Sequence, residues 1–183
     1  MLIYYDLETT GLSPTRDEII QIGALNVDTG ETFVECIKPI QLVTNWEFHG
    51  VTPAQLAVAS SLSHVARRFN QWLEQFPDPL LVAHNGFKFD MPFLVPILTR
   101  IYRHSDSYVA MKALGGHKSY ALQNVYKDLI GKKTQTHTAL EDCEMLRDTI
   151  KASKAPIVEK LKELGRYSDS STTISSSGAT AFV

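Results

Sequence analysis

The sequence predicts an α/β domain with a single mixed β-sheet of about five strands flanked by helices. Two features carry that prediction. Three strand-like segments lead the chain, and helical patterns then alternate with short strand-like runs, the order expected when helices cover both faces of one sheet.

Residues 2–8, 18–28 and 32–38 read as strands, each rich in Ile, Val, Tyr or Phe, and "DTG" at 28–30 signals a hairpin between the last two. Thr52 followed by Pro53 reads as an N-cap and first helical residue, opening a short helix over "PAQLAVA". Leu62, Val65, Phe69, Trp72, Leu73 and Phe76 recur at helical spacing and predict a longer, core-facing helix. "PLLVAHN" predicts a buried strand. "MPFLVPILTRIY" reads as a helix with Pro92 in its first turn, while Pro96 either kinks it or moves its start. "SYVAM" at 107–111 is the predicted fifth strand. "SYALQNVYKDLIG" predicts a helix capped by Ser119 and stopped by Gly131.

In "THTALEDCEMLRDTIKAS", Thr138 with Glu141 three residues on is a capping-box pattern, and Ala139, Cys143, Leu146 and Ile150 share one apolar face. A last helix is expected from Pro156 to Leu164. Beyond it the composition shifts to "SDSSTTISSSGATAFV", too poor in apolar residues to pack by itself. The expected division is therefore a domain over 1–164 and a flexible Ser/Thr-rich tail over 165–183.

At 183 residues, 44% hydrophobic and 21% charged, the chain has the balance of a globular domain with a sizeable core. No apolar run approaches the roughly 18 to 20 residues that a membrane helix needs. The chain enters its first strand without a basic start or a cleavage site, so an intracellular protein of cytoplasm or nucleus is expected, with no membrane partner. Cys36 and Cys143 lie in apolar-patterned segments and suit a reducing compartment better than a disulfide; no Cys/His spacing suggests zinc. A net charge of −2 gives no global attraction to a polyanion. Locally, however, residues 88–133 hold eight Lys/Arg against three Asp, a stretch able to guide nucleic acid.

The first strand raises the functional question. In "YYDLETTGL", Asp6 and Glu8 stand two residues apart, so their carboxylates project from one face, about 7 Å apart along the strand. Such a pair repels itself unless something positive lies between. Two further acids stand out against apolar surroundings: Asp90 at the mouth of a helix, and Asp142 one turn into another. Singly, each has a structural use, as a cap or as a complement to a helix N-terminus. Together, four converging carboxylates make a hard oxygen site for Mg²⁺ or Mn²⁺. A two-metal phosphodiesterase needs such a set, with ions about 3.5–4 Å apart serving the attacking water and the leaving oxygen. His137, in the loop just before the helix of Asp142, completes it, because an imidazole is suited to act as a general base near neutrality.

These residues resemble a known family. "DLETTGL", "VAHNGFKFD" and "HTALED" are similar, in order, to the three motifs of the DnaQ-like 3′-to-5′ exonucleases in their Asp-Glu-Asp-Asp-plus-His (DEDDh) form. The resemblance covers roughly residues 1–152. "LVAHNGFKFDMPFL", "SDSYVAMKAL" and "KSYALQNVYKDLIG" look like segments of the three-prime repair exonuclease (TREX) group. The resemblance implies a ribonuclease H-like fold, with Asp6, Glu8, Asp90 and Asp142 holding two Mg²⁺ ions, which Mn²⁺ can replace. It further implies His137 as general base, Thr9 at the terminal nucleotide, Leu12 as a wedge against the last bases, and His84 and Phe89 lining the substrate site, which Glu8 and His137 also touch. An apolar wedge stacks on any base without reading it.

The expected activity is removal of nucleoside 5′-monophosphates from single-stranded or frayed 3′ ends of DNA. RNA 3′ ends are the alternative substrate, since discrimination rests on 2′-OH contacts that sequence does not display. A silent binding module and a nuclease working only within a larger assembly, such as a polymerase proofreading subunit, are the other readings. Dimers are common in the resembled group, which makes a homodimer an option.

Overall fold

Eight residues, Leu2–Thr9, form strand β1 near the middle of a six-stranded sheet in the computed structural model, which describes residues 1–44, 49–131 and 137–168. Lys132, Lys133 and the Ser/Thr-rich stretch from 169 onward lie outside the described residues. β2 (Ile19–Asn26) pairs antiparallel with β1, and β3 (Thr32–Cys36) antiparallel with β2. On its other side β1 meets β4 (Leu80–Ala83) in parallel, then β5 (Arg103–Asp106) in parallel, then β6 (Arg166–Tyr167) antiparallel. The order is β3-β2-β1-β4-β5-β6. β1, β4 and β5 thus point the same way, and their carboxyl ends share one edge, the place where open α/β sheets bind ligands.

Alternation along β1 sorts its side chains between two cores. Ile3, Tyr5 and Leu7 face one layer, packed with Val65, Phe69 and Leu73 from α2 (Leu62–Leu73) and with Phe93 and Leu94 from α3 (Asp90–Leu94). The predicted short helix is α1 (Pro53–Ala57), closed by a capping box between Thr52 and Gln55. Phe69 is fully buried with its ring 5.1 Å from that of Phe33, and burial of such a ring stabilises by about 3 kcal/mol.

Leu2 and Tyr4 face the opposite layer. There they meet Met111 from α4 (Ser107–Leu114), Val125 from α5 (Leu122–Leu129), Cys143 and Leu146 from α6 (Ala139–Ala152), and Leu161 from α7 (Ile157–Leu164). Cys36 and Cys143 are both free thiols. By the same period of two, Asp6 and Glu8 continue the face of Leu2 and Tyr4 and rise toward α6.

Some elements differ from the sequence expectation. The sheet has six strands, and residues 107–111 belong to α4 rather than to a strand. The β-branched and aromatic "SYV" favours extended chain, but the Asp106 carboxylate caps the segment, accepting from the N–H groups of Tyr108 (2.9 Å) and Val109 (3.2 Å). The strand is the preceding "RHSD", whose polar residues carry no apolar signature, yet His104, Ser105 and Asp106 are each at most 1% exposed. Pro96 ends α3 at Leu94 and leaves a single 3₁₀ turn, Val95–Ile97. α5 starts three residues after Ser119, whose hydroxyl instead accepts from the N–H of Ala121 and from the Asn124 amide.

Candidate active site

Three acids meet where β1 passes beneath the start of α6. One carboxylate oxygen each from Asp6, Glu8 and Asp142 lies within 4.8 Å of the other two. Oxygen ligands on opposite sides of one divalent ion are about 4–5 Å apart, twice a metal–oxygen bond, so this spacing suits a shared cation.

The chain holds α6 there by close packing on β2. The Gln21 side-chain carbonyl accepts the Ala139 N–H (3.0 Å), and the Cys143 thiol donates to the Gly23 carbonyl (3.6 Å). Gly23 stands opposite Asp6 in the β1–β2 register. A Cβ on it would lie 2.5 Å from backbone atoms of Ala139 and Leu140, so only glycine lets the helix approach this closely. Thr138 caps α6 by accepting the Glu141 N–H (3.4 Å), which leaves Asp142 in the first turn.

Asp90 is delivered by the turn that follows the neighbouring parallel strand β4. It opens α3, is 2% exposed, and its Oδ1 accepts the Leu7 N–H (3.1 Å). The electrostatics join it to the other three acids. Burial first, then Asp90, Asp142 and Glu8, hold the Asp6 carboxyl well above the usual carboxylate range. Glu8 is pushed up to about 8 by burial, Asp142 and Asp90. Asp90 is pushed up to about 7: burial raises it, the N–H of Leu7 and its own N–H pull it down, and Asp106 and Asp142 raise it again. Among the described residues, the charges that raise Asp6, Glu8 and Asp90 are other carboxylates. Hard oxygen donors crowded in this way fit a divalent metal centre.

The remaining sequence candidates are placed as follows. His137 directly precedes the α6 cap, half-buried, at a left-handed φ of +52°, and its carbonyl accepts the Gly50 N–H. Its ring is not part of the three-acid cluster. Thr9 is 6% exposed and its hydroxyl donates to the Gly11 carbonyl (2.6 Å). Leu12 is 84% exposed at the tip of a loop that Asp17 and Thr10 wind tightly through the N–H groups of Ser13 and Glu18. Phe89 packs edge-on against Phe93.

His84 has both ring nitrogens engaged within the protein, Nδ1 with the Ser107 hydroxyl and Nε2 with the Tyr120 carbonyl, each at 2.9 Å. It therefore ties the end of β4 to the segment before α5.

Beside Asp142 opens a groove of about 850 Å³, whose lining includes Lys88, Lys112, Lys118, Tyr108 and Tyr120. None of these lysines has an acidic partner among the ion pairs of the described residues. Cations interleaved with aromatic rings form the kind of surface that tracks a nucleic-acid strand. Sequence reasoning passed over two residues that build the site, Gln21 and Asp106. Gln21 is a buried polar residue on an inward face; Asp106 has cap spacing ahead of "SYV", a signal hidden by reading that segment as a strand.

An acid cluster at the carboxyl edge of a mixed sheet, beside a basic and aromatic groove, defines a nuclease-type site. A family model described as Exonuclease (RNase_T) matches residues 3–148, and the chain belongs to that family. Its fold is DnaQ-like and its domain is that of a nuclease. Among curated relatives, the PolC-type DNA polymerase III of Thermotoga maritima is 30% identical over 174 residues, covering 89% of this chain and 12% of that one. The DNA polymerase III subunit epsilon-like protein of Rhodobacter capsulatus is 34% identical over 158 residues, covering 76% of this chain and 22% of that one. The chain thus spans no more than 22% of the length of these two relatives.

Among solved structures, the zinc-bound E. coli ExoI–ssDNA complex superposes with a TM-score of 0.71 at 20% identity, over 88% of this chain and 42% of that one. The cell-death related nuclease CRN-4 gives 0.62 at 18% identity, over 81% and 62%. These likenesses establish the fold. No helix among the described residues is long and apolar enough to cross a membrane.

Proposed function

We propose that this chain is a metal-dependent 3′-to-5′ exonuclease of the DEDDh type, acting on single-stranded or frayed DNA ends and releasing nucleoside 5′-monophosphates. The observation that carries the reading is the cluster of Asp6, Glu8 and Asp142 with Asp90 beside it, in which burial and neighbouring carboxylates raise Asp6, Glu8 and Asp90 together. These four residues would hold the divalent ions, Mg²⁺ or Mn²⁺. Bound there, the ions supply charge neutralisation at the phosphate and a more acidic water.

The chain's own groups do the rest. His137 takes the proton of the attacking water through its imidazole. Glu8 and His84 line the substrate site, and Leu12, exposed at its loop tip, stacks on the last base. Thr9 and Phe89 flank the terminal nucleotide. Lys88, Lys112 and Lys118 grip phosphates of the strand leading into the site. The water's oxygen bonds to phosphorus and the bond to the 3′-oxygen breaks, so the product keeps its 5′-phosphate.

The narrower likeness to the TREX group rests on the segments around motif two and on "KSYALQNVYKDLIG". The polymerase names of the relatives support a second reading, an editing unit that works inside a larger assembly. Sedimentation of the purified chain with and without lysate separates the two.

The deciding test is a time course on 5′-labelled 20-mers of single-stranded DNA and RNA with Mg²⁺, with EDTA, and with the H137A and D142N variants. A ladder shortening from the 3′ end that disappears with EDTA and in both variants is expected, with DNA degraded faster than RNA. Intact oligomers in Mg²⁺ and Mn²⁺ alike would end the reading, and a faster RNA ladder would change the substrate.

A further inference from the structure

Asp106 closes β5 with only 1% of its surface exposed, and none of the ion pairs among the described residues involves it. Four backbone N–H groups donate to its carboxylate instead. Oδ1 accepts from Asn85 (3.1 Å), Tyr108 (2.9 Å) and Val109 (3.2 Å), and Oδ2 accepts from Phe87 (3.0 Å). Capping α4 requires only the pair from Tyr108 and Val109. The other two bonds hold a different segment, the turn that joins β4 to α3.

That turn is shaped to deliver Asp90. Asn85 is left-handed at φ +62°, and Gly86 lies against Ala83 so closely that a Cβ would be 2.5 Å from the Ala83 Cβ. Asp90 follows Phe87 by three residues and anchors to the Leu7 N–H. A shift of the turn therefore moves the fourth carboxylate relative to Asp6. The same Asp106 side chain also joins the two walls of the groove. Lys88 stands on the turn, and Tyr108 and Lys112 stand on α4.

We propose that Asp106 is the positioning residue of this site, one buried carboxylate that couples divalent-ion binding at Asp90 to the grip on the incoming strand. The inference rests on reading the site as that of a metal-dependent nuclease. Groups that orient metal ligands from behind commonly change metal affinity or activity by about 10–100-fold when altered.

Two variants separate the capping role from the positioning role. D106S retains a hydroxyl able to cap α4 and gives up the bonds to Asn85 and Phe87. D106N keeps one carbonyl oxygen but turns an amide NH₂ toward the Phe87 N–H. The comparison is N70A, which removes an equally buried group that ties Ala66, Ile97 and Thr99 together in the other core. Mn²⁺ binding is read by electron paramagnetic resonance of the free ion, and kcat and KM on a single-stranded DNA 20-mer, on full-length chains that unfold cooperatively.

D106S and D106N are expected to weaken Mn²⁺ binding and to raise KM, each about tenfold, while N70A lowers the unfolding midpoint and leaves both at wild-type values. Wild-type Mn²⁺ affinity in folded D106S and D106N overturns the proposal, as does an equal loss in N70A. If the wild type binds Mn²⁺ and degrades no oligonucleotide, the nuclease reading fails, and the Mn²⁺ comparison alone still decides the role of Asp106.

Discussion

The acid cluster should make the metal-free protein less stable than a variant with one charge fewer, and Asp90→Asn is the cleanest way to show it. Asn keeps an oxygen to accept the Leu7 N–H, so the anchor survives while the charge is removed. The native state pushes Asp90 up to about 7 from an ordinary 3.8. A raised carboxyl holds its proton to higher pH in the folded than in the unfolded chain. Its contribution to stability is therefore fully present below the unfolded value and is lost as pH rises from about 4 toward 7.

Three units at about 1.4 kcal/mol each bound the loss near 4 kcal/mol. Because the acids titrate as a set, roughly half of that, about 2 kcal/mol, is assignable to one of them. For a chain of this size about 2 kcal/mol corresponds to a rise of roughly 4–8 °C in Tm. Thermal unfolding of wild type and D90N in EDTA, between pH 4 and pH 8, reads the difference. D90N should match the wild type at pH 4 and exceed it at pH 8, and millimolar Mn²⁺ should raise the wild type and erase the gap. A D90N that melts lower than wild type at pH 8 in EDTA, or a gain of equal size at both pH values, would refute the electrostatic account.

Other consequences can be checked separately. Gly23→Ala should push α6 off β2, lowering stability by about 2–3 kcal/mol and weakening Mn²⁺ binding, as denaturant melts and ion titration would show. Leu12→Ala should leave Tm within the change of about 0.5 kcal/mol typical of surface sites while slowing digestion of frayed duplex ends more than of single strands, in paired kinetic assays. Lys112→Glu should raise KM for oligonucleotides and flatten its dependence on salt, by about 0.7 in log–log slope for each single-strand phosphate that the variant no longer neutralises.

Much of the site was legible in the sequence because strand periodicity and capping chemistry are local. The i, i+2 spacing put Asp6 and Glu8 on one face, and Thr138 fixed where α6 begins, hence where Asp142 stands within its first turn. What stayed hidden depends on contacts between distant segments. β5 is a strand because β4 and β6 pair with it, and nothing in "RHSD" says so. His84 reads from its motif as lining the substrate site, and it does line the groove, but its bonds to Ser107 and to Tyr120, 23 and 36 residues away, lie outside any motif. No local pattern announces such bonds.

The two kinds of residue also divide the work of the site. The acids are crowded against one another at a cost that a divalent ion would offset, so they cannot hold their own geometry by mutual attraction. Neutral scaffolding must hold it for them: the Gln21 amide and Gly23 under α6, the Leu7 N–H on Asp90, and the ring of N–H donors about Asp106. Hydrogen bonds to backbone serve this better than ion pairs would, because a lysine near enough to steady Asp6 or Glu8 would occupy the place of the metal. Lys88, Lys112 and Lys118 line the groove beside Asp142, and none of them is in an ion pair with Asp6, Glu8 or Asp90 among the described residues.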